Sequence, residues 1–454
     1  MHQVRTTEGN DLAREVNDSY RCPKDFLSFR LGGELRAQQG YFEFGPGTTC
    51  YGRSVKGHNL AQLGRPLSDT LGEVEFDGKR LVLPFDPNEV IDNLRLELYQ
   101  NSRMGGYEHA LKRLYYAIRP VTTRSVRKLV QKFRAANWSR RKFPQWPVDT
   151  TVESVCETLL MLSLKASGVD RVPFIWFWPE GAQGCVSITH DVEATAGRDF
   201  CGQMMDIDDS FGVKASFQVV PEGSYKVSPQ FLQQLRERGF EVCVQDLNHD
   251  GRLFDRHEEF LRRAASINGY GREYGAKGFR SAVLYRKPEW YGELDFSYDM
   301  SFPNVAHLDP QRGGCCTVMP YFIGNLLEIP LTTIQDYTLL HVLGERSIEL
   351  WEKQIETIFA KNGMATFIIH PDYMNERGTR SVYEALLGLL SDLRRRKVLW
   401  FALPRDIDRW WRARQKMTIE KTGSTWHIVG EDAGRATLAF ASIVDGQLRY
   451  ELAK

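Results

Sequence analysis

The feature that most constrains the fold is a regular alternation of short apolar runs and amphipathic stretches from about residue 183 onward. The apolar runs have the length of buried strands and lie at 185–189, 214–220, 240–244, 278–280, 326–330, 365–370 and 398–403. Helical periodicity separates most of them, at 197–211, 228–238, 253–267, 346–361 and 380–396. This alternation predicts an α/β fold in which helices surround a mostly parallel sheet, closed or nearly closed as a distorted β/α barrel.

The flanking sequence predicts two further parts. Residues 1–180 combine short alternating stretches with helical patterns, and the last forty residues alternate again around Asp445-Gly446. We therefore predict an α+β accessory region over 1–180, the barrel over 181–414, and a small antiparallel β appendage over 415–454.

One stretch of the accessory region is strongly basic. Residues 119–142 contain nine Lys or Arg and no Asp or Glu, and their apolar residues fit one side of a helix. Such a helix is typical of contact with an anionic lipid or glycolipid. One basic helix is a weak signal, however, and a solvated helix packed on the next domain is the interpretation we favour. Both interpretations stay open.

Charge and targeting features narrow the class of protein. The formal net charge of +1 gives the whole chain no strong field toward nucleic acid, so we expect no nucleic-acid partner. The N-terminus has no apolar signal region, and no apolar run reaches the roughly 18 residues of a membrane span. We predict a cytoplasmic protein whose eight cysteines, none in a Cys-x-x-Cys pair, are reduced and mostly buried.

Polar residues follow the first and third apolar runs. Asp191 and Glu193 are two residues apart, a spacing that lets both carboxylates face one site, although acidic residues at such positions also cap helices. His249 follows the third run and is suited to binding a metal, with Gln245 four residues before it. Because the carboxyl ends of parallel strands meet at one edge of a sheet, we expect these side chains to lie together.

Two more strand ends add a cation and an imidazole. Arg280 ends the fourth run, where it could orient a carboxylate by charged hydrogen bonds or remain a surface cation. His370 ends the sixth run, and an imidazole there suits general acid catalysis near neutral pH.

Four motifs in this order resemble the NodB-homology polysaccharide deacetylase family. They are Thr189-x-Asp191-x-Glu193, Asp246-Leu-Asn-His-Asp-Gly251, Phe279-Arg280 and Ile369-His370-Pro371. The resemblance extends over about 180–405, a little under half of the chain. It implies a distorted β/α barrel that hydrolyses N-acetyl groups of carbohydrates or related linear amides.

The resemblance also implies a role for each catalytic residue. Asp191 corresponds to the general base that activates the attacking water, and Arg280 to the arginine that orients this base. His370 corresponds to the histidine that protonates the leaving amine. The sequence has no Gly-x-Ser-x-Gly elbow, and no basic partner can be assigned to any cysteine, so it offers no covalent nucleophile. Glycoside hydrolysis by paired carboxylates would leave the histidines without a role.

The metal site that the resemblance implies is altered at one position. Glu193 and His249 correspond to family ligands, and Gln245 stands where the family has a second histidine. An amide oxygen is a weaker zinc donor than imidazole and suits oxygen-preferring cations better. We therefore expect a divalent metal, with zinc as the family's usual ion, at a weakened or shifted site. The alternative is a catalytically silent barrel that binds carbohydrate or acts as a scaffold.

The expected substrate is a carbohydrate with N-acetyl groups, in a polysaccharide or glycolipid intermediate. Tyr285 and Trp290 follow the Arg280 strand and could stack on a sugar ring or belong to the core. The function expected from the sequence is thus metal-dependent hydrolysis of a non-peptide C–N bond.

Overall fold

A computed structural model describes residues 11–57, 59–100, 138–396 and 399–453. The chain divides into two compact units: unit 1 comprises 1–102, 151–181 and 413–454, and unit 2 comprises 103–150 and 182–412. Most of the predicted basic helix over 119–142 lies outside the described residues. No helix within the described ranges is long and apolar enough to cross a membrane.

The described part of unit 1 contains three α-helices and several small sheets. Its helices are α1 (Arg14–Tyr20), α2 (Pro87–Arg95) and α3 (Thr151–Ser167). Its strands are β1 (Phe29–Leu31), β2 (Gly40–Glu43), β3 (Thr49–Gly52), β4 (Glu75–Asp77), β5 (Arg80–Leu83), β6 (Arg171–Ile175), β16 (Thr418–Thr422), β17 (Thr425–Val429), β18 (Leu438–Val444) and β19 (Gln447–Leu452). The sheets have the orders β1-β5-β4, β2-β3, β16-β17 and β19-β18-β6.

The last of these sheets explains why the units divide the chain differently from the three predicted segments. Strand β18 pairs antiparallel with β6 along five residues, and with β19 on its other edge. The C-terminal strands therefore complete a sheet begun before the barrel, and they belong to the same unit as the N-terminal region. The sequence shows the alternation of these strands but not their partner, because the pairing joins segments more than 250 residues apart.

Unit 2 contains the alternating elements. Its helices are α4 (Thr195–Ser210), α5 (Pro229–Glu237), α6 (His257–Glu273), α7 (Glu349–Ala360), α8 (Arg377–Arg396) and α9 (Pro404–Lys416), in which the unit ends. Its strands are β7 (Gly184–Val192), β8 (Ser216–Val219), β9 (Glu241–Gln245), β10 (Gly278–Arg280), β11 (Tyr298–Asp299), β12 (Tyr321–Ile323), β13 (Leu326–Glu328), β14 (Met364–Ile369) and β15 (Leu399–Phe401).

These nine strands form one sheet of order β12-β13-β11-β10-β9-β8-β7-β14, with β15 also paired to β7. Every pairing is parallel except that of β12 with β13, so the predicted mixed α/β class and mainly parallel sheet are confirmed. Strands β7 and β14 are buried at every residue, as expected for parallel strands covered on both faces.

The sheet is a curled half-barrel whose two ends are joined by side chains. Within the described ranges no backbone ladder connects the β12–β13 end to β14. Thr332 and Thr333, just after β13, instead donate their hydroxyls to the carbonyls of Met364 and Thr366, both at 2.7 Å. This seam holds the segment after β13 beside the first half of β14, the strand that His370 directly follows.

Candidate active site

Asp191 and Arg280 form a buried ion pair at the strand ends. Asp191 lies near the end of β7 and is 3% exposed, and Arg280 ends β10 with no exposure. Arg280 Nη1 donates to Asp191 Oδ1 and to Thr189 Oγ1 (2.8 Å), while its Nε donates to the carbonyl of Met300 (3.0 Å). The guanidinium therefore fixes the orientation of the carboxylate and places an opposite charge beside it.

Glu193 is the centre of the polar cluster. Its Oε1 lies 2.7 Å from His249 Nε2 and 3.5 Å from His370 Nε2. Burial alone would raise the pKa of Glu193, but the facing charges of His249 and His370 overcome this and hold the pKa well below its usual range. Glu193 is thus a carboxylate on which two imidazoles converge.

Gln245 joins the two carboxylates. Its Nε2 donates to Asp191 Oδ2 and to Glu193 Oε1, both at 3.1 Å, and the side chain is almost fully buried at the end of β9. Its Oε1 is buried without a hydrogen-bond partner among the described residues. The amide therefore leaves one acceptor unsatisfied beside a carboxylate and an imidazole.

His370 is held by Asp336, a residue that the sequence analysis did not single out. His370 Nδ1 lies 2.6 Å from Asp336 Oδ1, and the His370 backbone N–H donates to Asp336 Oδ2 at 2.7 Å. Asp336 is fully buried and also accepts from the backbone N–H of Tyr337 (2.7 Å), where a π-helical segment, Tyr337–Leu343, begins. Burial opposes the charging of His370, but Asp336 and then Tyr373 and Glu193 raise the pKa of this imidazole well above its usual value.

The donor atoms fit a divalent cation. Ligand atoms of Asp191, Glu193 and His370 all lie within 4.8 Å of one another, and His249 adds an imidazole nitrogen beside Glu193. The orphaned Oε1 of Gln245 would gain a partner if the amide turned toward a cation held there. Two carboxylates and an amide oxygen make the set rich in oxygen, which suits oxygen-preferring cations better than an all-imidazole site would.

The two aromatic residues predicted to bind substrate differ in their surroundings. Tyr285 is buried. Trp290 packs against His257 and Phe260, with ring centroids 4.8 and 5.2 Å apart, and the Lys287 ammonium lies 4.0 Å from the centre of its ring. These contacts give Trp290 the surroundings of a packed side chain.

The structure therefore brings six of the predicted residues into one cluster. Arg280, Asp191, Gln245, Glu193, His249 and His370 form a continuous chain of contacts. Tyr373 packs beside this cluster, with its ring centroid 4.9 Å from that of His370. Asp336 joins this cluster without having been predicted. The only feature of the sequence that points to it is an acidic residue soon after the 326–330 run.

No protein-family model and no curated protein matches the chain. Several solved structures do. A Mycobacterium smegmatis protein with a provisional assignment as a polysaccharide deacetylase is 17% identical, with 55% of this chain and 96% of that one covered and a TM-score of 0.44. The Puue allantoinase is 13% identical, with 52% and 92% covered and a TM-score of 0.43. A mutant of a CE4-family pseudoenzyme with restored enzymatic activity is 13% identical, with 50% and 68% covered and a TM-score of 0.33.

Polysaccharide deacetylases are among the solved structures to which this chain is similar. The family that the four motifs resemble therefore recurs in the structural comparison.

Proposed function

We propose that this chain hydrolyses a non-peptide amide bond, as an N-deacetylase of an N-acetyl sugar in a polysaccharide or glycolipid intermediate. The observation that carries the proposal is the pairing of a fixed carboxylate with a fixed imidazole. Asp191 is held by Arg280, His370 is held by Asp336, and the ligand atoms of Asp191 and His370 lie within 4.8 Å of each other. A base and an acid at this separation can act on one tetrahedral centre.

Asp191 serves as the general base. Arg280 occupies one carboxylate oxygen, Oδ1, and Oδ2 faces the Gln245 amide and the cluster. Arg280 faces the carboxylate with an opposite charge and fixes its orientation, so Oδ2 is positioned to take a proton from a water that attacks the acyl carbon.

His370 serves as the general acid. Its Nδ1 is committed to Asp336, which leaves Nε2 to give a proton to the departing amine. Because Asp336 raises the pKa of His370, the imidazole stays protonated at neutral pH, as an acid must be. The products are acetate and the free amino sugar.

Glu193, His249 and Gln245 are the residues that would hold a divalent cation. The bound cation supplies Lewis-acid polarisation of the acyl carbonyl. Glu193 keeps its charge because the pKa of its carboxyl is low, and it can therefore act as an anionic ligand across the neutral pH range. The basic stretch 119–142 stays a candidate for contact with a lipid-linked form of the substrate.

A second function, a silent barrel that binds carbohydrate, is favoured by one observation. The Gln245 Nε2 donates to both carboxylates at 3.1 Å and so bridges them as a cation would. A site closed in this way would bind a sugar without turning it over.

Metal content and acetate release separate the two functions. The purified protein is analysed for bound metal and assayed on chitooligosaccharides and other N-acetyl sugars, together with Asp191→Asn and Gln245→His. Asp206→Asn, on an exposed side chain of α4, is the matched control.

Release by the wild type that Asp191→Asn abolishes and Asp206→Asn leaves intact supports the hydrolase. Turnover that arises only in Gln245→His, with no metal in the wild type, supports the silent barrel.

A further inference from the structure

Two carboxyl groups outside the cluster are buried side by side at the ends of neighbouring strands. Asp299 ends β11 and Glu328 ends β13; they are direct partners in the parallel register, and neither is exposed. Side chains of paired residues on adjacent strands point to the same face of the sheet, so the carboxyls adjoin. Two adjacent carboxyls in a buried site cannot both be ionised, so the pair retains one proton between them.

The hydrogen bonds indicate which carboxyl holds it. Asp299 accepts from the Ser301 hydroxyl (2.7 Å) and the Ser301 backbone N–H (3.1 Å), which favours its ionised form. Glu328 Oε1 accepts from the Phe302 backbone N–H (3.0 Å), while its Oε2 has no donor among the described residues. This pattern leaves Glu328 Oε2 as the carboxyl oxygen that is free to carry a proton toward Asp299.

The turn that is hydrogen-bonded to this carboxyl pair also accepts a hydrogen bond from Arg280. Residues 300–302 follow β11, and the carbonyl of Met300 accepts from Arg280 Nε at 3.0 Å. The Ser301 hydroxyl, which donates to Asp299, accepts from the Ser281 backbone N–H at 2.9 Å. The carboxyl pair thus fixes the turn through Ser301 and Phe302, and the turn fixes Arg280 through the carbonyl of Met300.

We propose that Asp299 and Glu328 share one proton and act as positioning residues for Arg280, and through it for Asp191. The catalytic consequence rests on the proposed hydrolase function, whereas the shared proton does not. Neither residue touches the reacting atoms.

The electrostatic surroundings agree with this assignment. Burial, and then the charge of Asp299, raise the pKa of Glu328 well above its usual value. Burial also raises the pKa of Asp299. Among the described residues, Tyr291 and Arg286 also interact with the pair, and the positive charge of Arg286 only partly opposes the rise in the pKa of Glu328.

Two substitutions at one position test the proposal. Glu328→Gln keeps an acceptor for Phe302 and supplies an amide N–H to Asp299 in place of the shared proton. Glu328→Leu removes both. The exposed Glu258 on α6 provides the control Glu258→Gln.

The activity arm measures kcat and KM separately on an N-acetyl sugar. We expect Glu328→Gln to resemble the wild type. Glu328→Leu should lower kcat on the order of 100-fold, the cost of an ångström-scale misplacement, and leave KM unchanged because neither carboxyl touches the substrate. A kcat of Glu328→Leu equal to that of the wild type, or a loss that appears only in KM, would overturn the positioning role.

The stability arm needs no turnover, so it separates this inference from the proposed function. A carboxyl with a raised folded pKa contributes stability that is present at low pH and lost as pH rises through that pKa. The wild type should therefore lose stability with rising pH by a component that Glu328→Gln lacks. If the two proteins share one stability profile against pH, no proton is shared and the inference fails, whether or not the wild type hydrolyses anything.

Discussion

Removal of the Arg280 guanidinium should be among the most destabilising single changes in unit 2. Arg280 and Asp191 are both almost fully buried, and the Arg280→Met variant leaves the Asp191 carboxylate buried without its counter-ion. Breaking one side of a buried pair costs about 3–5 kcal/mol. The variant also loses the bonds of the charged guanidinium to Thr189 Oγ1 and Met300 O, worth about 1.5–3 kcal/mol each.

A double-mutant cycle isolates the ionic part of this loss. We expect Asp191→Asn to cancel much of the cost, so that the double variant is more stable than the sum of the single changes predicts, by about 1–3 kcal/mol. Urea titration of the wild type and the three variants measures these free energies, with Arg262→Met, an exposed arginine on α6, as the control. Strict additivity of the two changes would refute the view that Arg280 compensates the charge of Asp191.

Three further predictions concern single residues. Asp336→Asn should lower the pKa of His370, so the alkaline limb of the pH–activity profile should move to lower pH in an acetate-release assay. Burial raises the pKa of Glu241 from 4.5 to about 7. The free energy of unfolding should therefore fall by roughly 3 kcal/mol as pH rises through this interval, at 1.36 kcal/mol per pKa unit. Glu241→Gln should remove this pH dependence in urea titrations at several pH values. Gly278→Ala should lower the melting temperature, because the added Cβ would collide with the ring of Tyr298, an overpacking that costs about 1–3 kcal/mol.

The strand ends of the site could be predicted because buried parallel strands are visible in the sequence as short apolar runs. The run predicted at 365–370 is the strand Met364–Ile369, and the run at 240–244 is Glu241–Gln245. A fully buried parallel strand is mainly apolar, so polar residues at its carboxyl end mark the edge of the sheet where catalytic residues collect. This argument places Asp191, Gln245 and His370 at one edge.

The partner of His370 could not be predicted in the same way. Asp336 lies eight residues beyond Glu328, the end of β13, and reaches His370 only because threonine hydroxyls fasten the intervening segment to β14. This seam depends on tertiary contacts, which no local pattern encodes. The short strand Tyr298–Asp299 was missed for a related reason, since two residues carry no periodicity.

At the altered position Gln245, metal binding competes with the hydrogen bonds that the amide already makes. The Nε2 that bridges Asp191 and Glu193 must turn away before Oε1 can face a cation, which forfeits two bonds to charged acceptors worth about 1.5–3 kcal/mol each. Gln245→His removes the bridge and adds an imidazole, so its affinity for Zn²⁺ should rise at least 100-fold in calorimetric titration, about 2.7 kcal/mol at 1.36 kcal/mol per factor of ten. Equal affinities of the two proteins would mean that residue 245 does not face the cation, and the metal would then have to be held by Asp191, Glu193 and His370.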